Sequence, residues 1–91
     1  MWVHVHKDSL ITARPMLLRQ LVLIPDGTGP AIATFHDGRN ANAPHLGIFR
    51  TNEQNTRSIS FGKGIRMENG LYVEVGGDVE GVIVIWDSLE E

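Results

Sequence analysis

The stretch that most constrains the fold is residues 64–75, Gly-Ile-Arg-Met-Glu-Asn-Gly-Leu-Tyr-Val-Glu-Val. Two runs of β-forming residues flank an Asn-Gly pair, the pattern of two strands joined by a tight turn. A two-residue turn at Asn69-Gly70 opposes Met67 with Tyr72 and Ile65 with Glu74, which mixes polar and apolar groups on both faces. A three-residue loop, Glu68-Asn69-Gly70, opposes Met67 with Leu71 and Ile65 with Val73, and Val75 continues that face. Arg66, Tyr72 and Glu74 then share the other side. The second register separates the faces, so the expectation is a β-hairpin in that register. Gly70 should adopt positive φ, where a Cβ would be penalised.

The rest of the chain repeats this texture. Residues 2–6, Trp-Val-His-Val-His, alternate as a half-buried strand, with Val3 and Val5 on one side and Trp2, His4 and His6 on the other. Residues 10–13 suit a short extended piece ending at Arg14, which precedes Pro15 and so avoids the helical region. Residues 16–24, Met-Leu-Leu-Arg-Gln-Leu-Val-Leu-Ile, permit a two-turn helix or a strand. The β-rich surroundings and the turn chemistry of Pro25-Asp26-Gly27 favour a strand. Further strands are expected at 31–36, 46–49 and 57–61, the last with Ile59 and Phe61 inward and Ser58 and Ser60 outward. Residues 38–44 read as an exposed loop and residues 51–56 as a polar connection. Residues 82–86, Val-Ile-Val-Ile-Trp, are apolar on both sides, so this strand must be covered on both faces. Residues 87–91 form an acidic tail.

About eight short strands with Gly, Pro, Asn and Asp between them indicate an all-β protein. The expected fold is a small antiparallel β-sandwich, jelly-roll-like, forming a single domain over residues 1–91. A chain of 91 residues has room for one small core, and such a domain often gains from burying surface against a copy of itself or a partner. Cysteine is absent, which excludes disulfides and thiolate metal sites. The net charge is −3 and the eight Lys and Arg residues are not clustered, which argues against nucleic-acid binding. No apolar run approaches bilayer length, and residues 1–7 lack signal-peptide character, so a soluble, intracellularly made protein without membrane contact is expected.

Motifs for chemistry are sparse. His4 and His6 share one strand face and could offer two imidazoles, but a metal ion usually takes three or four ligands and no third is evident. His36 and Asp37 are adjacent on a strand, point to opposite faces, and cannot form a base with its orienting carboxylate. Gly27-Thr28-Gly29-Pro30 lacks the lysine and helix of a phosphate loop. Glu68 falls in the turn and Glu74 opposite Gly64 on the outer side, so the two do not face a cleft as glycosidase carboxylates would. No catalytic, cofactor-binding or metal residue is assigned. Trp2, Tyr72 and Trp86 suit a core or a subunit interface better than a sugar-stacking platform.

The segment at residues 64–73, with the closing Val-Ile-Val-Ile-Trp strand at 82–86, resembles the C-terminal half of small β-rich virion proteins of tailed bacteriophages. Those carry a Gly-aliphatic-x-aromatic-x-x-Gly-Leu-Tyr-Val segment before a last strand that ends in an aromatic residue. Met67 stands here where an aromatic is common. Arg19-Gln20-Leu21-Val22-Leu23 and Phe35-His36-Asp37-Gly38 look like the corresponding upstream strands. The resemblance implies a non-enzymatic structural protein made in the host cytoplasm and carried in the virion. Its roles would be capsid decoration or cement, with a tail or head-tail component or a carbohydrate- or receptor-binding module as alternatives. It also implies capsid or other virion proteins as partners and a homo-oligomer, expected to be a trimer. The interface residues expected from this reading are Trp2, His4, His6, Arg66, Tyr72, Glu74 and Trp86.

Overall fold

Alternation of apolar and polar residues places every second side chain of each segment in a shared core, and the chain meets that demand with eight strands. The structure, a computed structural model, describes residues 1–52 and 54–89. Glu53 in the polar connection and Glu90 and Glu91 of the acidic tail lie outside the described residues. The strands are β1 (Trp2–Val5), β2 (Ser9–Thr12), β3 (Met16–Pro25), β4 (Ile32–His36), β5 (His45–Arg50), β6 (Arg57–Met67), β7 (Leu71–Val75) and β8 (Val79–Ser88). They form two four-stranded antiparallel sheets, β1-β8-β3-β6 and β2-β7-β4-β5, packed as a sandwich. Only the β4–β5 connection stays within a sheet, and the other six cross from one sheet to the other.

The first sheet contributes Val5, Met16, Leu18, Leu21, Leu23, Met67, Val82 and Val84 to the core, and the second contributes Ala33, Phe35, Leu71 and Val73. Phe35 is fully buried and meets Phe49 edge to face at 5.6 Å between ring centroids. Residues 16–24 are strand, as their β-branched end and following turn suggested. β8 is a central strand between β1 and β3, with Val82 and Val84 inward and Ile83 and Ile85 half-buried on the outer face.

The hairpin expected over residues 64–75 does not form. Met67 pairs with Met16 in the first sheet, while Leu71 pairs with Thr12 in the second. Residues 68–70 are therefore a crossover running beside the crossover of residues 13–15. Gly70 has φ 109°, and a Cβ there would meet the Thr12 carbonyl oxygen and lie 3.0 Å from Ala13 Cα. The glycine serves the close passage of two crossovers and not a hairpin turn. The expected core face survives nonetheless: Met67, Leu71 and Val73 are buried, and Ile65 and Val75 pack against the core.

Residues 57–61 and 64–67, read as separate strands in the sequence, belong to one long edge strand. Between its two paired segments the register jumps: β3 advances from Leu18 to Gln20 while β6 runs from Ile65 to Ser60. Here the edge strand β6 carries the extra residues, a bulge, whereas against β8 the extra residue is Arg19 on β3. Ile59 and Phe61 face the core and Ser58 and Ser60 face solvent, as expected.

Candidate functional site

The register assigns the expected interface residues to different surfaces. Trp2 and His4 stand on the outer face of the first sheet, opposite Ile85 and Ile83. Arg66 lies on the same sheet beyond Leu17, and its guanidinium bonds Glu68 at 2.7 Å. Tyr72 and Glu74 stand on the outer face of the second sheet, so Arg66 does not share a face with them. Glu74 pairs with Thr34 and not with Gly64. Trp86 is half-buried at the open end of the sandwich, in a pocket of about 450 Å³ with Met1, Ile11, Arg14 and Met16. Trp2, Tyr72 and Trp86 thus occupy three separate surfaces and do not form one platform.

His4 and His6 do come together, with ring centroids 4.5 Å apart, and His6 Nδ1 lies 2.8 Å from the Glu80 carbonyl oxygen. Among the described residues, no group of three or more His, Asp or Glu side chains is placed to hold a metal ion.

A polar centre that sequence reasoning missed lies on the second sheet. His36 is 4% exposed, with Nδ1 3.0 Å from the Ala43 carbonyl oxygen and Nε2 3.0 Å from Glu74 Oε1. Ala43 and Glu74 thus each present an oxygen acceptor to one ring nitrogen. His45 and Tyr72 pack their rings near the imidazole, at 6.2 and 6.1 Å between centroids. Asp37 lies in the β4–β5 loop and not on the strand, and its carboxylate is engaged elsewhere. Its carboxylate accepts from the Asn69 N–H at 2.8 Å and from the Glu68 N–H at 3.4 Å. These bonds hold the β4–β5 loop against the sheet and against the 68–70 crossover. His36 thereby reads as a tie between loop and sheet.

Exposed apolar side chains are distributed unevenly. Among the described residues the large exposed ones are Met1, Trp2, Leu10, Leu46 and Ile48. Leu10 on β2 and Ile48 on β5 flank the outer face of the second sheet, with Tyr72, Thr34 and His36 between them. Leu46 stands on β5 at the point where its register against β4 shifts.

The outer face of the first sheet is different. Beside the register break between β3 and β6 lies a recess of about 320 Å³, lined by Arg19, Gln20, Ser60, Gly62, Ile85 and Asp87. Arg19 Nη1 bonds Asp87 Oδ2 at 3.3 Å across it, and Gln20 Nε2 donates to Ser58 Oγ at 2.5 Å. None of these residues stands out in the sequence, because only the register break at Arg19 gathers them.

At the far end of the molecule, Asp26 accepts from the Thr28 hydroxyl at 2.6 Å and from the Thr28 N–H at 2.8 Å. These two bonds, the side-chain one foremost, hold the Asp26 carboxyl below its ordinary value of 3.8. The same hydroxyl lies 2.9 Å from Asp78 Oδ1, and the Asp26 N–H donates to the Asp78 carbonyl, which joins the β3–β4 and β7–β8 crossovers. Compared with known proteins, the chain matches no family model, no curated protein and no solved structure.

Proposed function

We infer that the protein is a non-enzymatic structural protein of a tailed-bacteriophage virion that binds the assembled capsid as a decoration or cement protein. The sequence resemblance over residues 64–73 and 82–86 supports this reading. The strand order supports it as well: sheets of β1-β8-β3-β6 and β2-β7-β4-β5 joined almost entirely by crossovers suit a jelly roll. That architecture recurs in viral capsid and lectin domains, although a fold alone does not assign a function.

The observation that carries the reading is the outer face of the second sheet, where Leu10 is 47% and Ile48 53% exposed on either flank of Tyr72 and His36. Apolar side chains flanking a face made rigid by the His36 tie suit attachment to a fixed protein surface. Binding the assembled shell and not its free subunits would stabilise the shell by mass action. The protein acts as a symmetric homo-oligomer, a trimer, whose copies meet at the open end around Trp86 and Met1.

Cosedimentation with assembled capsids of the encoding phage tests the attachment. The wild type should pellet with capsids, and Leu10→Asp with Ile48→Asp should stay in the supernatant. Pelleting with isolated tails and not with capsids would instead place the protein in the tail or head-tail connection. Analytical ultracentrifugation tests the trimer, and a monomer at high concentration would contradict it.

A further inference from the structure

We propose that the recess on the outer face of the first sheet is a binding site for a neutral saccharide, with Trp2 as its stacking platform. The proposal does not depend on where in a virion the protein sits, since it uses the face opposite the one assigned to attachment.

The recess presents hydrogen-bonding groups of both kinds beside one apolar side chain. Ile85 lines it together with Arg19, Gln20, Ser60, Gly62 and Asp87. The Arg19–Asp87 contact engages one nitrogen and one oxygen, leaving further guanidinium N–H donors and a second carboxylate oxygen. Gln20 uses its Nε2 on Ser58, which leaves the amide oxygen as an acceptor. The Ser60 Oγ accepts from the Gly62 N–H at 3.4 Å and retains its own hydroxyl proton to donate. Donors and acceptors thus line one small recess. Vicinal hydroxyls of a sugar ring, each able to donate and accept, match that arrangement.

Charge narrows the ligand class. Among the described residues, the charged side chains lining the recess are Arg19 and Asp87, which neutralise each other. An anionic ligand such as a phosphate would meet the Asp87 carboxylate beside the guanidinium, and a cation would meet the reverse. A neutral ligand meets neither penalty.

Trp2 supplies the aromatic surface. It is 71% exposed, and its Cα lies opposite that of Ile85 in the β1–β8 register, so both side chains project from the same face. An indole beside a polar recess can stack on the C–H face of a pyranose while the ring hydroxyls enter the recess. A recess of about 320 Å³ is at the small end of the range for ligand sites, which suits one sugar ring and not a long chain. The open edge at β6 leaves room for the rest of an oligosaccharide to continue into solvent.

The test is a panel of immobilised neutral oligosaccharides probed with the full-length protein, followed by titration calorimetry with the soluble form of any that bind. Binding by the wild type is expected, weakened about tenfold or more in Trp2→Ala and in Asp87→Asn, with circular dichroism showing intact folds. Tyr72→Ala, on the opposite sheet, should leave the affinity unchanged. No binding to any neutral saccharide at millimolar concentration would overturn the proposal, and so would binding confined to acidic glycans. Equal affinity in Trp2→Ala and Asp87→Asn would overturn the location. Capsid cosedimentation of Trp2→Ala separates the two readings, because attachment through the second sheet should survive this substitution whether or not saccharide binding is found.

Discussion

Replacing Gly70 with alanine should be among the most costly single-methyl additions to this chain, and the reason distinguishes a crossover from a hairpin turn. Gly70 sits at φ 109°, and an added Cβ would meet backbone atoms of Thr12 and Ala13. Left-handed backbone on a residue with a Cβ costs about 1–3 kcal/mol. Forcing two backbone segments apart adds about 1–3 kcal/mol more by comparison with overpacked sites. A loss of about 3 kcal/mol in all lowers the melting temperature of a domain this size by about 12–24 °C. Two reference substitutions separate the contributions. Gly27 has φ 93° but open space around its Cβ position, so Gly27→Ala isolates the backbone strain and should lose about 1–2 kcal/mol. Gly77 has open space and no left-handed φ, so Gly77→Ala should change stability by less than about 1 kcal/mol. Differential scanning calorimetry of the three variants reads the order directly. If Gly70→Ala melts with Gly27→Ala, the 13–15 and 68–70 crossovers do not pass in contact, and the topology argued from them is wrong.

Other substitutions probe separate parts of the structure. Phe35→Ala empties a fully buried position against Phe49 and should cost about 3–5 kcal/mol by urea denaturation, whereas a loss below 1 kcal/mol would deny it a place in the core. Glu74→Ala removes the acceptor beside Nε2 of the nearly buried His36 and should cost about 1–3 kcal/mol by urea denaturation, whereas an unchanged midpoint would contradict the tie. The depressed Asp26 pKa means that its carboxylate favours the folded state above about 3.8 and that this contribution disappears as pH falls through the lower folded value. Thr28→Val removes the larger cause, so the Asp26 midpoint followed by carboxyl ¹³C NMR should rise toward 3.8, and an unchanged midpoint would show that the hydroxyl is not its cause.

What was legible in the sequence was the facing of side chains, and what was hidden was their pairing. Ile65, Met67, Leu71, Val73 and Val75 point to the core as their alternation indicates, because both sheets turn their inner faces to the same interior. A chain that folds back beside itself and one that crosses to the opposite sheet produce the same alternation, and both can use a glycine at positive φ. Periodicity therefore could not separate the hairpin from the crossover, and the error carried Arg66 onto the wrong face. The recess was hidden for a related reason. Strict alternation along residues 16–24 breaks at Arg19, and only the unequal advance of β3 and β6 brings Ser60 and Gly62 beside Gln20 and Asp87. The His36–Glu74 contact spans 38 residues and needs the β4–β7 pairing, which no local pattern encodes.

Capsid cosedimentation with face-specific variants tests most directly the proposal that the outer face of the second sheet attaches the protein to a capsid. Wild type and Trp2→Ala should both pellet with assembled capsids, while the Leu10→Asp, Ile48→Asp double variant should not. Failure of the wild type to pellet would contradict capsid attachment, and loss of pelleting in Trp2→Ala with retention in the double variant would assign attachment to the first sheet instead.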